Sequence, residues 1–156
     1  MNGPYRFSDR SRRRLDECHD DLVTVMEHVI KHVDIMVLEG QRGKERQNQL
    51  VEQGKSKAPW PQSKHNAGPG TGRTKSHAVD ILPSPFDGND TDSEGIGWAN
   101  RSRFHYVGGI VIGVARELQR RGTIAHRVRW GGDWNQNNNP ADQSFYDGPH
   151  FELVDA

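Results

Sequence analysis

Apolar residues recur first at helical spacing. Leu15, Leu22, Val25, Met26, Val29 and Val33 share one stripe and predict a single helix over Ser8 to Val33, with Ser8 as its N-cap. Asp34 to Leu38 is a short apolar run that ends at Glu39-Gly40, which predicts a strand leading into a turn. Lys44 to Gln53 has helix-forming composition and stops at Gly54. Ala78 to Leu82 alternates as a strand does and halts at Pro83. Phe104, Val107, Val111, Val114 and Leu118 occupy one face of a second long helix over Ser102 to Arg121, closed by Gly122. Val128-Arg129-Trp130 and Phe151-Glu152-Leu153-Val154 read as two further strands. This order of elements predicts an α+β fold, a small antiparallel sheet with flanking helices.

Three polar stretches separate these elements. Lys55 to Lys75 is rich in Gly, Pro, Ser and Lys, Asp87 to Gly97 is acidic, and Gly131 to Tyr146 is rich in Asn. A long loop inside a short chain usually serves function or is disordered. At 156 residues the chain is read as a single domain over 1–156, large enough to bury a core without disulfides. Within it, 1–33 forms an N-terminal helical region and 38–154 the remaining core. Hydrophobic residues make up only 32%, which predicts extensive polar loops around a modest core.

The 21 basic and 21 acidic residues balance, so bulk charge does not point to nucleic acid. The lone Cys18 cannot form an internal disulfide, which fits a reducing compartment. No apolar run approaches membrane-spanning length, and the polar, Arg-rich stretch Met1 to Arg14 does not read as a secretory signal. Stable membrane insertion is not expected, and a monomer is the simplest assembly.

The chemistry lies in three separated segments: Ser63-Lys64-His65, Ser76-His77-Ala78-Val79-Asp80, and Asp147-Gly148-Pro149-His150. Together they offer two imidazoles and a carboxylate for a metal, with a second carboxylate three residues before the last His. Two neutral His nitrogens and one Asp oxygen suit Zn²⁺ and leave a fourth position open, although Mn²⁺ or Co²⁺ could use the same atoms. A nearby carboxylate could then move a proton, the division of labour in metal-assisted hydrolysis.

These segments resemble the zinc D-Ala-D-Ala carboxypeptidase and L-alanyl-D-glutamate peptidase superfamily, the hedgehog/DD-peptidase fold, and within it the small phage endolysins. The shared pattern is Ser-x-His, then Ala-x-Asp, then Asp-x-x-His, and the similarity runs from about Leu38 to Leu153. Gly40-Gln41-Arg42 through Gln47 and Arg129-Trp130-Gly131-Gly132-Asp133-Trp134 also match stretches of that group. The resemblance implies His65, Asp80 and His150 as zinc ligands and Asp147 as general base and later acid. It implies Arg42, Gln47 and Ser63 lining the substrate site, with Arg42 stabilising an oxyanion. Trp130 and Trp134 are read as structural walls of the cleft.

One departure stands out. Fourteen residues separate His65 from Asp80 where the family places six, so Gly68 to Lys75 reads as a loop insertion. It introduces His77 as a rival first ligand, but residues three apart on a strand face opposite ways, which favours His65. His28 and His32 lie four apart yet lack the Glu of a His-Glu-x-x-His protease and read as a surface pair. The acidic run 87–94 lacks EF-hand order and reads as a solvated loop. His105 and His126 read as surface or core-edge residues, and Arg12-Arg13-Arg14 as a solvated helix face.

The resemblance implies a zinc peptidase acting on the stem peptide of bacterial peptidoglycan, first as an L-alanyl-D-glutamate endopeptidase of phage lysis type. Such an enzyme would be made in the host cytoplasm and reach the wall after membrane permeabilisation. A D-alanyl-D-alanine carboxypeptidase and a zinc-containing, non-catalytic binding module are the alternatives.

Overall fold

The computed structural model describes residues 4–156; the first three positions of the N-terminal region lie outside it. The helices are α1 (Asp9–Leu15), α2 (Asp20–Val29), α3 (Lys44–Glu52) and α4 (Arg101–Arg120). The strands are β1 (Ile35–Glu39), β2 (Ala78–Pro83), β3 (Arg127–Trp130) and β4 (His150–Val154). They form one antiparallel sheet in the order β1-β2-β4-β3, the α+β arrangement that the patterning predicts.

Strand alternation makes this sheet two-sided. Val37, Val79, Ile81, Val128, Phe151 and Leu153 turn into the core, where α2 and α4 meet them with Leu22, Met26, Val107 and Val111. Each such side chain, fully buried, contributes about 1.5–3 kcal/mol. The alternate residues Asp80, Arg129, His150 and Glu152 project into a cleft of about 1160 Å³. A register shift between Val37 and Glu39 brings both Leu38 and Glu39 to the same cleft. One periodicity thus separates packing from chemistry.

The N-terminal region departs from the predicted single helix. α1 ends at Leu15 and α2 begins at Asp20. Leu15 and Leu22 both reach the core, so the apolar spacing survives, but the backbone between them pairs elsewhere. Ser76 N–H donates to Glu17 O at 3.0 Å, and His19 N–H donates to Ser76 O at 2.8 Å. His19 then caps α2, its Nδ1 accepting from Asp21 N–H at 3.0 Å. A tertiary bridge to the segment ahead of β2 overrides local helix propensity here. Ser8 caps α1 as expected, accepting from Ser11 N–H at 3.1 Å.

Candidate active site

Asp80 and His150 are directly paired across β2 and β4, on the face away from the core. His65 joins them from the long loop. Its position is set by backbone bonds: Arg42 N–H donates to His65 O at 2.8 Å, and Arg42 bridges Asn66. Arg73, inside the insertion, clamps the loop by donating to Asn66 O at 2.8 Å and Ser63 O at 2.7 Å. The segment Gly68 to Lys75 therefore braces His65 instead of displacing it.

The three candidate ligand atoms converge. His65 Nε2 lies 3.3 Å from Asp80 Oδ1 and 3.3 Å from His150 Nδ1, and His150 Nδ1 lies 3.2 Å from Asp80 Oδ1. A tetrahedral ion with bonds of about 2.0–2.1 Å spaces its ligand atoms about 3.3 Å apart. The donor set fits such an ion in both geometry and chemistry.

Outer partners decide which nitrogen faces the centre. His65 Nδ1 donates to Gly40 O at 2.7 Å, leaving Nε2 as the lone pair. Gly40 cannot carry a side chain there, because a Cβ would sit 2.3 Å from Arg14 O. His150 Nε2 donates to Glu152 Oε1 at 2.8 Å, leaving Nδ1. Glu152 is held in turn by Arg129 at 2.7 Å and Lys64 at 3.8 Å. Sequence reading missed Glu152, although positions two apart on a strand share a face and so signal it.

Charge follows this arrangement. Burial opposes ionisation of Asp80, but His65 and His150 hold its carboxyl well below the usual range. Burial alone would depress His150, yet its bonds to Asp80 and Glu152, with the Asp147 charge nearby, push it up to about 10. Glu152 is likewise disfavoured by burial but lowered to about 2 by His150 and Arg129. Asp147 moves the other way, raised by burial and by the Asp80 charge.

Asp147 lines the cleft at the turn into β4. Its N–H donates to Gly131 O at 2.8 Å and Gly131 N–H donates to His150 O at 2.7 Å, so the Trp-Gly-Gly stretch grips this turn. A Cβ on Gly131 would lie 2.2 Å from Asp147 O. Trp130 is not the cleft wall expected from sequence. It is buried beneath the turn, donating Nε1–H to Gly148 O at 2.7 Å. Trp134 is the wall, its ring 5.4 Å from that of His150.

Arg42 faces the cleft but is firmly tied. It forms a two-bond pair with Glu39 at 3.0 and 2.8 Å, donates to Gln47 Oε1 at 3.0 Å, and approaches Asp80 Oδ2 at 3.8 Å. Gln47 does not line the substrate site as expected. It is wholly buried behind Arg42, where its amide also bonds Asn66, Ser56 and Ala58. Its helical position on α3 carried no signal of that depth. Ser63 borders the cleft, and its Oγ accepts from His65 N–H at 3.3 Å.

His77 stands apart from these groups and packs instead against His19, ring centroids 5.1 Å apart. His32 is exposed, and His28 bonds Thr24 O. In the acidic loop, Asp90 accepts backbone N–H groups of Asp92 and Ile96, so its carboxylate closes a turn.

Two comparisons with known proteins found a match. The family described as phage L-alanyl-D-glutamate peptidase matches residues 3–154. The crystal structure of the Serratia marcescens L-Ala D-Glu endopeptidase ChiX is similar over 95% of this chain and 89% of that one, with 29% identity and a TM-score of 0.65. No curated protein matches the chain.

Proposed function

Because the chain belongs to the phage L-alanyl-D-glutamate peptidase family, we propose that it cuts the L-alanyl-D-glutamate bond of the peptidoglycan stem, using zinc held by His65, Asp80 and His150. The observation that carries this reading is the mutual spacing of the three ligand atoms, with both imidazole tautomers set by outer partners. Bound there, zinc would polarise the scissile carbonyl and lower the pKa of water.

The chain's own residues supply the rest. Asp147 takes the proton of the attacking water and returns it to the leaving amine of D-Glu. Its raised pKa suits both steps, since a strongly acidic carboxyl would hold that proton too weakly. Arg42 places positive charge where the carbonyl oxygen becomes anionic. Three of its N–H groups are bonded to Glu39 and Gln47, which leaves others for substrate. Gln47 positions Arg42, and Ser63 steadies His65 beside the substrate. Trp134 and Leu38 offer apolar walls for the stem peptide.

The enzyme acts as a monomer at the wall, reached from the host cytoplasm after the membrane is permeabilised. Among the described residues no helix is long and apolar enough to cross a membrane. The family match favours the endopeptidase over a D-alanyl-D-alanine carboxypeptidase. Two synthetic stem peptides separate them, one blocked at its C-terminus and one ending in free D-Ala-D-Ala. Cleavage of the blocked peptide after L-Ala is expected; release of D-alanine alone would transfer the assignment to the carboxypeptidase.

A further inference from the structure

Outside the cleft, three segments distant in sequence bring histidines together. His19 precedes α2, His77 precedes β2 and His126 precedes β3, and none lines the cleft. Their ring centroids lie 4.9 Å apart for His19 and His126, 5.1 Å for His19 and His77, and 5.8 Å for His77 and His126. Asp21, in the first turn of α2, completes the group by accepting from His126 Nδ1 at 2.8 Å.

We propose that His19, Asp21 and His126, with His77 alongside, form a second binding site for a first-row divalent ion of the zinc, nickel or copper type. One ligand atom from each of the first three lies within 4.8 Å of the other two. His19 Nδ1 accepts from Asp21 N–H at 3.0 Å in the metal-free protein, so its one lone pair rests on the α2 cap, and ligation by His19 exchanges that bond for the ion. His126 uses Nδ1 on Asp21, which leaves its Nε2. The His77 ring has no hydrogen bond among the described residues. Imidazole nitrogens with one carboxylate select borderline ions over calcium or magnesium. All four residues are half-buried, so an ion can enter from solvent.

The placement gives the ion a structural task. The cluster sits where the N-terminal helix breaks to pair with Ser76, next to the bonds Ser76 N–H to Glu17 O and His19 N–H to Ser76 O. An ion there would tie the start of α2 to the segments leading into β2 and β3, independently of hydrolysis.

Equilibrium dialysis of the full chain against Zn²⁺, followed by metal counting, tests this directly. Two ions per chain are expected in the wild type and one in His150→Ala. One is also expected in His126→Ala, with peptide hydrolysis retained. His19→Asn keeps an N-cap oxygen while removing the imidazole, so it should fold and still lose the second ion. His32→Ala should keep both. A single ion in the wild type, or two ions surviving in both His126→Ala and His19→Asn, would overturn the second site and leave the cluster as packing. Loss of the ion in His126→Ala but not in His150→Ala would instead count against the cleft site.

Discussion

His150 donates Nε2–H to Glu152 Oε1 at 2.8 Å, two residues along the same strand, and thereby turns Nδ1 toward Asp80 and His65. A carboxylate behind a ligating imidazole fixes its tautomer and raises its basicity. Glu152→Gln should therefore weaken zinc binding by about 10–100-fold while the chain stays folded. Competition with a chromophoric chelator measures this, and unchanged affinity would show that Glu152 does not act through His150.

Asp147 and His150 are close in sequence but are assigned different tasks. Asp147→Asn should keep the metal and lose about 10²–10⁴ in kcat, the usual worth of a general base. His150→Ala should lose both metal and turnover. Metal content and initial rates on one peptide substrate distinguish the two variants. Wild-type turnover by Asp147→Asn would remove it from the mechanism.

Gln47 is buried, yet its change should reach the chemistry through Arg42. Arg42→Ala should cost about 10²–10³ in kcat, as for other lost oxyanion donors. Gln47→Ala leaves Arg42 Nη1 and Asn66 Nδ2 without their shared acceptor, a loss of about 1–3 kcal/mol in stability. Its kcat should fall less than that of Arg42→Ala. Urea unfolding and kinetics on the same preparations give both numbers.

Much of this was legible in the sequence, because the signals are local. The strand-like runs Ala78–Leu82 and Phe151–Val154 located β2 and β4 within a residue at either end, and helical spacing located α4 within a residue at each end. What stayed hidden depends on distant pairing. The break at Asp16–His19 exists because Ser76 bonds Glu17 and His19 across the fold. Trp130 looks like a cleft aromatic until its Nε1 is seen under Gly148, and Gln47 reads as a substrate-lining residue until Arg42 and Asn66 converge on it. The meeting of His19, His77 and His126 has no sequence pattern at all.

In the proposed site, zinc and a proton would compete for His150. In the metal-free protein its carboxylate neighbours push its pKa up to about 10, so near neutral pH it carries a proton that zinc must displace. Affinity should rise about tenfold per pH unit between pH 6 and 8, with a proton released on binding. Titration calorimetry in two buffers of different ionisation enthalpy reads that release. A pH-independent affinity would contradict protonation at this site.

His77 shifts downward, to about 4, through burial and the neighbouring His19, Arg73, His126 and Lys64. The unfolded chain accepts a proton near pH 6.5 that the native state refuses until about pH 4. This contribution to stability is therefore whole above pH 6.5 and is lost as pH falls toward 4. Solvent screening at a half-exposed ring reduces it to about 1 kcal/mol. Chelator-treated His77→Gln should show a shallower fall in Tm between pH 6.5 and 4 than the wild type.

The central claim is a zinc-dependent cut between L-Ala and D-Glu. Mass spectrometry of purified peptidoglycan digested with the protein tests it most directly, before and after chelation and again after Zn²⁺ is restored. The account predicts stem peptides with new D-Glu N-termini, abolished by the chelator and recovered with zinc. Undiminished release in the chelator, or new ends at any other bond, would contradict it.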